Sequence, residues 1–288
     1  MMKRIGALPY TELMNSEENM KTFFNSTLFF LSTLILSAPL FSSEIEETFK
    51  KNIPVESATL LSVENRNGSI DIATWDRDEI GITAYKKVRA GNRDDAIALM
   101  EQLQVVIEVH DDEIEVFTEY PDKRRDKNGG FFSWLMGDSW NVSYSVSYEI
   151  KVPQKFDVNA RSTNGRVEAV DCNGRIHLET TNGKIIADDI SGSLRCSTTN
   201  GSITASLLKV IEREEMNFSS TNGSINLYFP EDINADIKAR TTNGSINCDL
   251  NITEQYSHSK KKMDIVVNDG GTYIYVKTTN GSINIRES

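Results

Sequence analysis

The sequence predicts an all-β chain: a parallel, right-handed β-solenoid built from Thr-Asn-Gly-x-Ile repeats, preceded by a β-rich region with one short helix. Three observations predict it. A Thr/Ser-Thr-Asn-Gly unit closes at Gly165, Gly183, Gly201, Gly223, Gly244 and Gly281. Its intervals of 18, 18, 22, 21 and 37 residues are near-regular, and such self-similarity marks stacked architectures. After each glycine, residues alternate with period two. The second is always aliphatic (Val167, Ile185, Ile203, Ile225, Ile246, Ile283), the fourth is small or aliphatic, and mostly polar residues stand between. That is a strand with one buried and one wet face.

An antiparallel meander would satisfy the same pattern, since Asn-Gly between alternating runs is the strongest hairpin signal. The solenoid is preferred because it explains why the units are alike. Stacked at the strand spacing of about 4.8 Å, the corners Asn164-Gly165, Asn182-Gly183, Asn200-Gly201, Asn222-Gly223, Asn243-Gly244 and Asn280-Gly281 would touch like on like. Their amides and hydroxyls would then bond along the axis. Glycine is read there as the residue that accepts positive φ at least cost. A right-handed winding follows from the usual hand of parallel crossovers.

The elements follow in chain order. Residues 1–43 read as an export signal: Lys21 is a positive n-region, Leu28–Leu36 a short apolar run, and small residues follow. The run is too short and interrupted for a membrane span, and Met20 is a candidate start. No Cys follows it to take a lipid. Cleavage near Ser43 removes as many basic as acidic residues, so the formal charge stays at −11. An acidic exported chain is a poor candidate for binding nucleic acid or an anionic membrane surface, so no nucleic-acid partner is expected.

Residues 44–154 form the β-rich region. Runs near 60–64, 69–75, 79–85, 105–109, 113–119 and 141–152 alternate as strands, and Asn67-Gly-Ser-Ile70 is an upstream copy of the repeat corner. Residues 92–104 are the one helix, with Asn92 as N-cap and Ala96, Leu99, Met100 and Leu103 as its apolar face. Residues 121–140 form a loop, basic and Gly-rich at first. Phe131, Phe132, Trp134, Leu135, Met136 and Trp140 then follow without a strand or helix period. These aromatics either contact a partner or lipid interface or fold back to plug an open solenoid end.

Residues 155–288 form the solenoid of five or six turns, with weaker corners at 171–174 and 189–192 and an insertion near 254–263. The strand 279–286 is expected to leave an open sheet edge for pairing with another strand.

No residue cluster announces a reaction. The nonapeptide spacing of corners resembles that of calcium-binding rolls, but Asp171, Asp188 and Asp189 form no column of ligands. The outward Arg161, Glu179, Arg240, Lys277, Arg166, Arg175 and Lys184 read as a solvated sheet face with cross-strand pairs rather than a glycosidase or lyase site. His110, His177 and His258 show no metal spacing and no nucleophile beside them, so no metal and no cofactor are expected. Cys172, Cys196 and Cys248 are too few for a disulfide scaffold. The basic tip 258–262 reads as solvated.

The layout resembles the bacterial putative-adhesin family of exported β-strand-repeat proteins, a domain of unknown function. The residues that carry the likeness are Val63-Glu-Asn-Arg-Asn-Gly-Ser-Ile-Asp-Ile with Trp75, the short helix, Tyr148-Glu-Ile-Lys-Val-Pro153, and the ladder of Thr-Asn-Gly-Ser-Ile units. The resemblance implies a β-solenoid in the cell envelope and no established enzyme activity, and it assigns no functional residue. The expectation is a non-catalytic, exported adhesin-like interaction module for an envelope or surface protein or glycan. The alternatives are a scaffold that self-associates through its solenoid ends and, less favoured, a carbohydrate-active enzyme.

Overall fold

A computed structural model describes residues 3–5, 43–121, 142–211 and 214–288; residues 6–42 of the export segment and the aromatic residues 131–140 lie outside them, while Lys3–Ile5 pairs antiparallel with Gln104–Val109. The described residues form 21 strands and one helix.

The repeat folds as a stack of coils. Each coil has a strand ending in Asn, a corner at Gly, and a second strand on the opposite face. On the first face Leu60–Asn67, Asp157–Asn164, Asn173–Asn182, the second half of Ile185–Asn200, Met216–Asn222, Thr272–Asn280 and Ala235–Asn243 pair in parallel. Asn stands opposite Asn at every step of this row. On the second face Ile70–Trp75, Val167–Val170, the first half of Ile185–Asn200, Ile203–Val210, Ile225–Phe229, Ile283–Glu287 and Ile246–Cys248 do the same. The aliphatic residues two after each glycine meet the inward residues of the first face, such as Leu61, Ile176, Leu194, Phe218 and Ile274. All of these are buried in one continuous core. The stack runs across residue 155 without a break, because Leu60–Asn67 and Ile70–Trp75 supply its first coil.

Chain order and stacking order part company after residue 229. The coil 235–248 does not lie on the coil 216–229. The last described strands, Thr272–Asn280 and Ile283–Glu287, return to fill the place between them. Ile283 pairs with Ile225 on one side and Ile246 on the other, and Asn280 with Asn222 and Asn243. The expected open edge at 279–286 is therefore absent. The insertion explains why. Ile252–His258 and Lys262–Val267 form a hairpin that lies antiparallel on Ala235–Asn243. It closes that end of the first face, so the chain can continue only inward. The basic tip belongs to this cap: the carbonyls of Lys260 and Lys261 accept from the amides of Ile246 (2.9 Å) and Thr241 (3.1 Å).

The other end is antiparallel too. Ser43–Pro54, Glu79–Ala90 and Ser143–Pro153 extend the second face, and Gln104–Val109 with Glu113–Glu119 extends the first. Antiparallel pairing is thus confined to the flanks, and among the described residues no Asn-Gly corner joins a hairpin, so the meander reading of those corners fails. The helix Arg93–Gln102 links the two faces there. Asn92 caps it, its Oδ1 accepting from Asp95 N at 2.9 Å, while Ala96, Leu99 and Met100 are buried.

The corner glycines serve a purpose other than the expected one. Of the six full-repeat glycines none has positive φ; among the Asn-Gly corners it occurs only at the upstream Gly68, +121°, and at Gly174 of a weaker corner, +159°. At Gly165, Gly183, Gly201, Gly223, Gly244 and Gly281 a Cβ would land on the carbonyl of the glycine in the neighbouring coil. The strand spacing at the corner leaves no room for a side chain. The three cysteines are free thiols. Burial pushes the Cys172 thiol up to about 12 and that of Cys196 further.

Candidate functional site

The corner line is the most regular surface of the protein. Asn67, Asn164, Asn182, Asn200, Asn222, Asn280 and Asn243 follow one another along the axis, each Nδ2 donating to the Oδ1 of the one before. The six distances lie between 2.7 and 2.9 Å. Just inside, the hydroxyl three residues before each glycine donates to the glycine carbonyl of the preceding coil. Thr180 reaches Gly165 at 3.0 Å, Ser220 reaches Gly201 at 2.9 Å and Thr278 reaches Gly223 at 2.8 Å. Strand alternation turns the next residue outward, so Thr163, Thr181, Thr199, Thr221 and Thr242 are exposed beside the ladder. The result is a stiff, uncharged polar stripe. Within it Asn200→Ala removes one donated and one accepted hydrogen bond and is expected to cost about 1–2 kcal/mol, read as a lower denaturation midpoint with unchanged slope. No change in the midpoint would mean the amides contribute nothing to stability.

The first coil ends the ladder differently. Asn65 replaces the inner hydroxyl, its Nδ2 donating to the carbonyls of Gly68 (3.1 Å) and Val146 (2.7 Å). The Tyr120 hydroxyl donates to Asn65 Oδ1 at 2.7 Å and accepts from the amides of Arg66 and Asn67. Tyr120 ends one strand of a further coil. Glu113–Glu119 runs parallel to Leu60–Asn67, and Ser143–Pro153 runs parallel to Ile70–Trp75. In the corners below, two residues cross between faces. Here the connection is the segment that carries Phe131, Phe132, Trp134, Leu135, Met136 and Trp140. Those residues are outside the described part, but the Tyr120 root is fixed at the head of the polar stripe, and Tyr144, near the other root, packs against Tyr120 with ring centroids 5.4 Å apart.

Three of the outward arginines are paired. Arg175 holds Asp157 (2.7 Å), Arg166 holds Asp71 (2.7 Å) and Glu168 (3.1 Å), and Arg161 reaches Glu179 at 3.5 Å. A shallow cleft of about 330 Å³ on the first face is lined by Arg175, His177, Ser193, Arg195, Glu214 and Glu215. Burial, then the nearby Arg161, pushes the His177 imidazole below its usual range. The folded state thus takes up this proton less readily than the unfolded chain. Stability should fall as pH drops through and below about 6.5, and His177→Gln should flatten that slope in melts across the range. An unchanged slope would sink the assignment.

One cluster escaped the sequence reading. Glu108, His110 and Glu115 bring their ligand atoms within 4.8 Å of one another, with His110 Nε2 3.8 Å from Glu115 Oε2. Linear spacing misses it because Glu115 arrives across the hairpin, opposite Glu108. It serves equally well as a cross-strand charge pair when His110 is protonated.

Parallel coils stacked on a shared corner, with antiparallel flanks, define a solenoid-like β-repeat protein. The chain belongs to the Toastrack DUF4097 family, whose model matches residues 12–286. Comparison with the curated proteins finds no match. Among solved structures, the chain is similar to a putative cell adhesion protein from Clostridium sporogenes at 15% identity and a TM-score of 0.45. That match covers 85% of this chain and 100% of the other. It is also similar to a putative adhesin from Bacteroides fragilis at 11% identity and a TM-score of 0.37, covering 84% and 97%.

Proposed function

We propose that this protein is an exported, non-catalytic, adhesin-like interaction module of the cell envelope. Its stack, wound right-handed, acts as a stiff platform, and the segment carrying Phe131, Phe132, Trp134, Leu135, Met136 and Trp140 is the contact element. The observation that carries the reading is the ladder from Asn67 to Asn243, with that segment rooted at its head. A regular, internally bonded corner is costly in sequence and builds no pocket. What it supplies is a rigid base from which an aromatic loop can be presented at fixed orientation. Arg161, Arg166 and Arg175 beside the stripe are each held by a carboxylate, which suits a scaffold better than general acid–base chemistry. Export rests on the signal-like residues 20–43, and the acidic balance disfavours nucleic acid. The partner is an envelope or surface protein or glycan, with no cofactor or metal involved.

The test replaces Phe131, Trp134 and Trp140 together by Ala in the full chain and compares retention on isolated envelopes and on whole cells. Retention falling about tenfold or more, with the melt unchanged, is the expected result. Full retention would refute the contact role. Lost stability would show that these side chains plug the fold instead.

A further inference from the structure

We propose that Ser43–Pro54 pairs edge to edge with the same strand of a second copy, antiparallel, with Phe49 on the two-fold axis. This strand pairs along its whole inner side with Glu79–Ala90, from Ser43 opposite Ala90 to Pro54 opposite Glu79. No described strand lies on its outer side. At 12 residues it is far longer than a typical strand of about 5–6. With no described strand on it, an edge of that length is a template for another strand.

Symmetry restricts the ways two copies can meet. In a two-fold antiparallel pair, opposed residues share a sheet face, so each register places one residue opposite itself. With Phe49 on the axis, Ile45 stands opposite Ile53 of the second copy and Glu47 opposite its Lys51. Those residues alternate with outward ones and line the core side: Ile45 and Ile53 are buried, and Phe49 packs against the core. On the outer side Glu46 meets Asn52 and Thr48 meets Lys50. The neighbouring registers are worse. An axis at Thr48 sets Ile45 against Lys51 and Glu47 against Phe49, and an axis at Lys50 sets Lys50 against itself and Glu47 against Ile53. Apolar-to-apolar and acid-to-base matching thus occurs in one register of the three.

Glu47 already binds the buried Lys86 at 3.2 Å on its inner neighbour. Lys51 of the second copy would flank it from the other side, completing a row of alternating charge. About ten backbone hydrogen bonds would form along residues 44–54, and the second faces of the two molecules would become one continuous sheet. The two aromatic segments would then be carried by a single body, which raises avidity for any repetitive surface. The pairing itself does not depend on the adhesin reading.

Light scattering on the purified full chain is expected to give twice the monomer mass, and Lys51→Glu to weaken the dimer about tenfold or more. In a Cys248→Ser background, Phe49→Cys is expected to form a disulfide-linked dimer under mild oxidation, because opposed Cβ atoms lie about 4.5–5.5 Å apart. Glu46→Cys, six residues from its own symmetry mate, is expected not to cross-link. A monomer at all concentrations, or cross-linking at Glu46→Cys in place of Phe49→Cys, would overturn the proposal. Should Phe49→Cys fail to fold, the Lys51→Glu comparison still decides.

Discussion

A chain ending at Gly271 is expected to lose cooperative folding of its far end altogether. The missing strands Thr272–Asn280 and Ile283–Glu287 are not a terminal trim. Ile274, Val276, Ile283 and Ile285 are buried, and each strand is paired on both sides. At about 1.5–3 kcal/mol for each fully buried aliphatic side chain, these four alone approach the whole stability of a typical domain, about 5–15 kcal/mol. Removing them also unbonds Asn222 and Asn243 from their shared neighbour and leaves the coil 235–248 with nothing to rest on except its own hairpin. Limited proteolysis should then cut rapidly near 230–234, and the melt should broaden or vanish. A truncated chain melting within a few degrees of the full-length protein would show that the returning coil contributes little.

Gly201→Ala is expected to be costly for a single added methyl. That methyl would occupy the place of the Gly183 carbonyl. Meanwhile the Gly201 amide is tied to Asn222 O at 3.0 Å and its carbonyl to Ser220 at 2.9 Å. The corner can relieve the overlap only by spreading two coils, which breaks the amide ladder on both sides. Overpacking of this kind costs about 1–3 kcal/mol, occasionally more. For a chain of this size a loss of about 3 kcal/mol lowers Tm by roughly 6–12 °C. The control is Gly91→Ala, where an added Cβ meets nothing within 4 Å and the change should stay within about 0.5 kcal/mol. Equal melting of the two variants would contradict the packing account.

Much of this architecture is written locally. The inward aliphatics two after each glycine, the N-cap Asn92 and the identity of the Asn-Gly corners each express a short-range rule, and together they point to parallel stacking. Stacking order was not legible, for a physical reason. From Asn164 onward every full-repeat coil presents the same Asn, an inner Ser or Thr hydroxyl and an aliphatic residue two after its glycine, so local sequence does not distinguish one vacancy from another. Nothing local says that 272–287 belongs beneath 235–248; only the 37-residue interval hinted that something intervenes. The glycine requirement was also misattributed, because sequence shows the residue but not the carbonyl that presses on it. Asn65 with Tyr120, and Glu108 with Glu115, are contacts between separate strands. They carry no periodic signal, so they emerged only from the fold.

The returning coil sets a deadline for maturation. Residues 216–229 and 235–248 become neighbours-but-one only when residues 272–287 have emerged, so these coils cannot reach their finished form while that stretch is still being made. Until then two sheet margins face an unfilled gap, and contacts this distant in sequence assemble slowly. A polypeptide with such a keystone becomes rigid only after residues 272–287 have been made and have taken their place between the two coils.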